Sequence, residues 1–367
     1  MTDHKDKISA IGLMSGSSLD GIDLVAADFW QDEGHWVFKL QHSEFYPYSD
    51  FWRKKLGAAF YLKEAALNAL DKEYGLFLGE ITQNFIQKNR LHPDFVASHG
   101  HTVFHQPEKA LTRQIGFGQA LADRSGVMVI NDFRSEDVAK GGQGAPLVPI
   151  GDRLLFGDYG ICLNIGGIAN VSYEVNDQRL AFDCCIANQG LNFIAGFLGK
   201  PYDKDGEIAA TGKLIPQLYE ALNTPQYFEN QPPKSLGREF FEQYQRDNIL
   251  KWQHQPADAA FTYTKHIAFQ IAKNLPHIAD SKILVTGGGA YHKQLIKQLS
   301  LHTQHQIEVA SPLLIVYKEA LIFAFLGVLR SKGMVNVLAA STGAASNSSS
   351  GLIWYPKSFS QTQNSRY

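Results

Sequence analysis

An α/β architecture made of two similar halves is what the sequence predicts, and three features predict it. Strand-like runs alternate with helix-like runs along the chain. A glycine-rich turn between strands occurs twice, at residues 14–23 and 164–170, each time followed by a hairpin-like strand pair and then helical segments. The 367-residue length exceeds one simple core and fits two domains.

The elements follow from local patterning. An apolar run (Ile8, Ile11, Leu13) opens the chain, and strand-like segments lie at 24–30, 36–46, 95–98, 127–131, 161–165, 171–175, 180–183 and 282–286. Helix-like segments lie at 51–59, 62–86, 149–156, 189–198, 262–274, 293–301 and 318–330. The run KGGQGAPLVPIGD (140–152) is rich in Gly and Pro and reads as a hinge. The polar run from Ser346 reads as a surface loop, and 358–367 as a frayed end.

Composition limits the function classes. Apolar residues make up 44% and charged residues 19%, which is globular rather than disordered. A formal charge of −2 and a pI near 6.7 give no electrostatic drive toward nucleic acid or anionic membrane. Three cysteines (Cys162, Cys184, Cys185) are too few for a disulfide framework and fit a reducing compartment. The N-terminal MTDHKDKISA lacks an apolar leader core, and the apolar run 320–329 is too short to span a bilayer. The expectation is a soluble cytoplasmic protein.

The stretch IGLMSGSSLDGID (11–23) is the most informative. Ser15-Gly16-Ser17-Ser18 forms a small-residue turn, with Asp20 and Asp23 on either side of Gly21. Such a hairpin exposes backbone N–H groups and hydroxyls that suit a phosphate chain, and its acids suit Mg²⁺, directly or through water. Turn chemistry alone also accounts for these residues. NIGGIAN (164–170) repeats the pattern, with Gly166 and Gly167 where backbone can approach a phosphate. Gly287, Gly288 and Gly289 end one strand and open a helix, the layout of many nucleotide sites; a tight turn would need one glycine rather than three. Neither GxxxxGK[ST] nor a strand followed by GxGxxG is present, which argues against a P-loop and a Rossmann site.

Other residues carry chemistry. Asp183 follows an apolar run at an expected strand end and is placed for a general base, or for capping the next helix. His99, His101 and His105 allow a zinc reading through H-x-H spacing on a strand, though a glycine-hinged loop touching a ligand suits them better. Arg134 can hold a carboxylate in bidentate fashion, or pair with Glu136 or Asp137 at the surface. Cys184 and Cys185 read as small core residues. Asp203-Lys204-Asp205-Gly206-Glu207 lacks the length of a calcium loop.

Together these stretches resemble the anhydro-N-acetylmuramic acid kinases. The matching segments are GLMSGSSLDGID (12–23), SHGHTVFH (98–105), NDFR (131–134), GGQGAPLVP (141–149), LNIGGIANVS (163–172), FD (182–183), DKDGEIAATG (203–212), PPKSLGREFF (232–241), DAAFTYT (258–264), ILVTGGGAYH (283–292), EALIFAFLG (319–327) and NVLAASTGA (336–344). The resemblance implies two RNase-H-like domains of the actin-like, sugar-kinase ATPase kind flanking a nucleotide cleft. Domain I would be residues 1–145 with about 325–367, and domain II residues 146–324.

It also implies a reaction, in the recycling of bacterial cell wall. ATP, water and 1,6-anhydro-N-acetylmuramic acid give N-acetylmuramic acid 6-phosphate and ADP, with Mg²⁺ on the phosphates. Asp183 would be the base for a water attacking C1, while O6 leaves C1 and attacks the γ-phosphorus. Gly16, Ser17, Ser18, Asp20 and Asp23 would form the first phosphate hairpin, with Asp20 toward Mg²⁺. Asn164, Gly166 and Gly167 would form the second, and Gly287, Gly288 and Gly289 would abut the adenosine. Thr102, Arg134 and Glu319 would serve the sugar. A homodimer is an open assembly.

Three departures from the family pattern stand out: Ser17 for Thr, His101 for Gln, and Asp183-Cys184-Cys185-Ile186-Ala187-Asn188 where the family has DTGPGN. The last removes two glycines and predicts a loop of different shape. It also supports a competing reading, a nucleotide-binding member without sugar kinase activity that acts as a sensor or scaffold.

Overall fold

The computed structural model describes residues 6–16, 19–106, 111–232, 234–276, 278 and 281–357. The chain divides into two compact units, residues 1–155 with 317–367 and residues 156–316.

Unit one carries β1 (Ile8–Ser15), β2 (Gly21–Asp32), β3 (His35–Pro47), β4 (Phe95–Ser98), β5 (His101–Gln106), β6 (Leu111–Ile115) and β7 (Val129–Asn131). Unit two carries β8 (Ile161–Ile165), β9 (Ile168–Val175), β10 (Gln178–Ile186), β11 (Lys282–Thr286) and β12 (Gln306–Val309); β13 (Leu352–Trp354) returns to unit one. The sheet of unit one runs β3-β2-β1-β4-β7-β13, and that of unit two β10-β9-β8-β11-β12. Each begins with an antiparallel three-strand meander, and its first strand then pairs in parallel with a strand reached by a helical crossover. The repeated turn in the sequence is therefore the first hairpin of two similarly ordered sheets. A separate β5–β6 hairpin belongs to unit one.

The core of unit one sits between its sheet and its helices. Helix Glu64–Asn89 buries Leu67, Leu70, Tyr74, Leu78, Ile81 and Phe85 against Ile11, Leu13, Leu24 and Val96. These positions recur at three- and four-residue steps, the period of one helix face. On helix Pro312–Ser331, Phe325 packs against Phe29 and Trp36, with ring centroids 5.5 and 5.2 Å away. Gly12 is required for this approach, because a Cβ there would overlap the carbonyl oxygen of Ala320.

That helix corrects one expectation. It is 20 residues long with a mean hydropathy of 1.9, so it meets the length and composition of a membrane span, unlike the shorter run 320–329. Some 67% of that stretch is buried inside the protein, which makes it a core helix.

A second correction concerns β10. The expected strand at 180–183 continues to Ile186, with a bulge between Asp183 and Cys185. Cys185 and Ile186 pair with Ala169 and Ile168, and Cys184, Cys185, Ile186 and Ala187 are fully buried. Apolar burial extends the sheet where a glycine loop was the family expectation.

Candidate active site

In unit one the first hairpin forms as expected. Met14 pairs with Asp23 and Ser15 with Ile22, so residues 16–20 make the turn. Ser17 and Ser18 lie outside the described residues. Gly16 is half-buried, Asp20 is exposed, and Leu19 adopts a positive φ of 60°. Ser15 anchors the turn from beneath. Its buried hydroxyl lies 2.6 Å from the Tyr48 hydroxyl and 3.4 Å from Nδ1 of His101, and Tyr48 in turn bonds Tyr74. The N–H of Tyr48 donates to the Asp20 carbonyl at 3.0 Å. Tyr48 and Tyr74 are far from the turn in sequence, so no local signal marks them.

Asp23, Glu319 and Arg134 form one electrostatic neighbourhood. Burial, and then the nearby Glu319 carboxylate, push the Asp23 carboxyl up to about 6. Glu319 keeps solvent access, yet desolvation by surrounding protein raises its carboxyl, against the pull of Arg134 and Lys318. Lys318 is itself buried in an ion pair with Asp152 at 2.7 Å. Burial lowers the Arg134 guanidinium to about 10, against Glu319 and Asp137. Arg134 does not pair at the surface: it donates through Nε (3.2 Å) and Nη2 (2.9 Å) to Nε2 of His99, and through Nη1 to the carbonyl of Gly144.

Thr102 sits on β5 opposite Gln114, which donates to its hydroxyl at 3.4 Å. The structure gives it that partner rather than Arg134 or Glu319.

The zinc reading is overturned. β5 begins at His101, so His99 and His101 do not share a strand, and His105 is exposed farther along it. Both ring nitrogens of His99 are engaged, by Arg134 and by the Gly100 carbonyl at 2.9 Å. Among the described residues no group of three or more His, Cys, Asp or Glu could hold a metal ion.

In unit two the glycine motifs meet. Asn164 is the penultimate residue of β8, and Thr286 at the end of β11 donates to its Oδ1 at 3.5 Å. Gly287 has φ +79°, and a Cβ there would lie 2.6 Å from Asn164 Oδ1. A Cβ on Gly289 would overlap the Ile165 side chain. These two glycines are thus needed by the fold. Gly167 is different: a Cβ would meet nothing within 4 Å, and its φ is not positive. Gly288 would meet only Asn188 Nδ2 at 3.7 Å. Glycine at 167 and 288 leaves backbone open to the close approach of a ligand.

The glycine cluster does not open an α-helix. Residues Gly288–Tyr291 form a 3₁₀ turn, and helix Lys293–Ser300 begins after it, with the His292 Nδ1 accepting from Leu295 N at 3.0 Å. The carbonyls of Gly166 and Gly167 accept from the N–H groups of Asn188 (3.0 Å) and Ala187 (2.8 Å). They tie the second hairpin to the start of helix Asn188–Gly196.

Asp183 lies within β10 at the bulge, not at the strand end, and caps no helix. It is half-buried, and burial raises its carboxyl while the N–H of Leu236, donating to Oδ2 at 2.8 Å, pulls it down. The Asp183 N–H donates to the Lys234 carbonyl (3.2 Å), and Tyr227 donates to the Asp183 carbonyl (2.7 Å). The Lys234 ammonium stands over the rings of Tyr227 (5.1 Å) and Phe182 (5.8 Å). The PPKSLGR segment was the only sequence signal for this support.

The loop Cys184–Ala187 holds no left-handed residue; Ala187 sits at φ −121°, ψ −100°. The chain solves the missing glycines by continuing the strand.

Comparison with known proteins shows the family. The description anhydro-N-acetylmuramic acid kinase matches residues 8–356. A protein of that name from Mannheimia succiniciproducens is 36% identical over 95% of this chain and 98% of its own length. One from Rhodopseudomonas palustris is 37% identical over 95% of this chain and 100% of its own. Among solved structures, component A of (R)-2-hydroxyglutaryl-CoA dehydratase from Acidaminococcus fermentans aligns at TM-score 0.45 and 12% identity, covering 86% of this chain and 96% of that one. A ROK hexokinase from Thermus thermophilus aligns at 0.41 and 12%, covering 88% and 99%. With its motifs in place over nearly its whole length, the chain belongs to the anhydro-N-acetylmuramic acid kinase family.

Proposed function

We infer that this chain is an ATP-dependent kinase that opens the ring of 1,6-anhydro-N-acetylmuramic acid with water and phosphorylates O6. The products are N-acetylmuramic acid 6-phosphate and ADP, in the recycling of cell-wall sugar. The family match over residues 8–356 carries this reading.

Asp183 is the base. Burial raises its carboxyl, which makes the carboxylate a stronger proton acceptor, and Leu236 N–H fixes one oxygen. It takes the proton of a water whose oxygen bonds to C1. The C1–O6 bond breaks, O6 bonds to the γ-phosphorus, and the bond from phosphorus to the β–γ bridging oxygen breaks to release ADP. Charge leaving C1 on O6 passes to the phosphoryl group, so no free alkoxide forms.

Gly16, Ser17, Ser18, Asp20 and Asp23 would hold phosphates on one side, and Asn164, Gly166 and Gly167 on the other. Gly287, Gly288 and Gly289 would lie against the adenosine. The open space over Gly167 and Gly288 supports this part. Arg134, Glu319 and Thr102 would face the sugar.

Mg²⁺ would neutralise phosphate charge when bound, with exposed Asp20 as a ligand through water. The raised carboxyl of Asp23 beside Glu319 marks a place where added positive charge is favoured. Three buried free cysteines support a reducing, cytoplasmic location. Exposed Phe51, Phe60 and Tyr61 leave apolar surface for a homodimer, which sedimentation equilibrium would check.

The deciding experiment couples ADP release to added anhydro sugar in water enriched in ¹⁸O. ADP should form only with the sugar, with label at C1. ATP binding without turnover would favour the sensor reading, for which the DCCIAN segment is the supporting observation. Sugar-independent ATP hydrolysis would overturn both.

A further inference from the structure

We propose that His99 is a positioning residue whose neutral imidazole fixes the Arg134 guanidinium so that its terminal N–H pair faces the sugar. That Arg134 faces a sugar rests on the function proposed above; the His99–Arg134 contact does not.

Donor counting sets the tautomer. Arg134 has only donors, so His99 Nε2, which receives both Nε (3.2 Å) and Nη2 (2.9 Å), must carry the lone pair. The proton then sits on Nδ1, which donates to the Gly100 carbonyl at 2.9 Å. A protonated imidazole could not accept from Arg134. Burial, followed by the Arg134 charge, lowers the His99 pKa to about 3, with neighbouring His101 adding to the effect, so the ring stays neutral at all working pH values.

The same count shows what Arg134 presents. Of its five N–H groups, one on Nε and one on Nη2 go to His99, and one on Nη1 goes to the Gly144 carbonyl. One N–H remains on each terminal nitrogen, a spacing that suits two oxygens of a ligand. Glu319 stands near enough to act on the Arg134 charge.

His99 is itself held on several sides. Its N–H donates to the Leu13 carbonyl at 3.0 Å, on the strand that leads into the first hairpin. Its ring packs on Phe323 with centroids 4.8 Å apart. Gly100 next to it has φ +70°, and a Cβ there would lie 2.5 Å from the Ile115 carbonyl oxygen. His99 therefore joins β1, through its backbone N–H, to Arg134, through its imidazole.

Two measurements test this on the full-length enzyme. In the first, ¹⁵N NMR of the imidazoles should show His99 protonated at Nδ1, unprotonated at Nε2 and neutral at pH 6. An Nε2–H tautomer or an imidazolium would overturn the proposal, whatever the substrate. In the second, His99→Leu should raise KM for the sugar about 10-fold or more while ATP KM changes less than about 2-fold. His99→Gln, whose amide oxygen can stand in for Nε2, should recover to within about 3-fold of wild type. Equal shifts in both KM values, or no advantage of Gln over Leu, would overturn it. If His99→Leu does not fold, His99→Asn replaces it, since the shorter amide does not reach the Nε2 position. A wild-type enzyme inactive on the anhydro sugar would reject the proposed function and leave the NMR result to decide on His99.

Discussion

The N–H of Leu236 donates to Oδ2 of Asp183 at 2.8 Å, fifty-three residues away in sequence. The carboxylate is thereby held by backbone, and the group that holds it accepts no proton. Asp183→Asn keeps an oxygen able to accept from Leu236 and should leave the fold unchanged. Turnover should fall about 10²- to 10⁴-fold, because the amide cannot take a proton from water. Calorimetry should show ATP affinity unaltered. Turnover within a few fold of wild type would remove Asp183 from the chemistry.

What could be read in the sequence, and what could not, follows from the range of the forces involved. The turns at Gly16 and at Gly166–Gly167 were legible because turn preference is local. The strands of both meanders were legible from apolar runs. The place of Asp183 was not, because a bulge depends on pairing with β9, which a single strand does not encode. The His99–Arg134 bond was missed for a similar reason: thirty-five residues and a strand-to-strand register separate the two. His99 stood out as part of a glycine-hinged loop touching a ligand, with zinc as the weaker reading, but neither reading names Arg134 as its partner. Gly287–Gly289 were read as opening a helix, but a 3₁₀ turn and the His292 cap intervene.

Gly167 and Gly287 separate binding from folding. Gly287→Ala forces a Cβ into a left-handed residue 2.6 Å from Asn164 Oδ1 and should cost at least about 2 kcal/mol in urea unfolding. Gly167→Ala meets no atom within 4 Å and should leave the melting temperature within about 2 °C of wild type. If the phosphate chain approaches this backbone, its ATP KM should rise about 10-fold. An unchanged ATP KM in Gly167→Ala would move the phosphates elsewhere.

Asp23 gives a pH signature. Its carboxyl titrates near 6 in the folded protein against an ordinary 3.8, through burial and then Glu319. The folded state therefore holds the proton more tightly than the unfolded chain. Stability linked to this group is fully present below pH 3.8 and is lost as pH rises to about 6. Asp23→Asn should stabilise the protein at pH 7 to 8 by on the order of 1 kcal/mol, allowing for solvent screening. The gain should vanish near pH 4. Denaturation across that range checks the sign; a variant less stable at pH 8 without ligand would contradict it.

Cys185 tests whether the lost glycines are missed. Cys184 and Cys185 are fully buried, and neither has a positive φ, so the backbone here makes no demand for glycine. Cys185→Gly would empty a packed site and loosen a strand, at a cost of about 1–2 kcal/mol. Burial also pushes both thiols up, so neither forms a reactive thiolate in the native state. Thiol reagents should modify them only on unfolding. Restoring glycine at 185 and 187 should therefore lower the melting temperature and leave kcat no higher. A rise in kcat would mean that continuing β10 to Ile186 slows this enzyme.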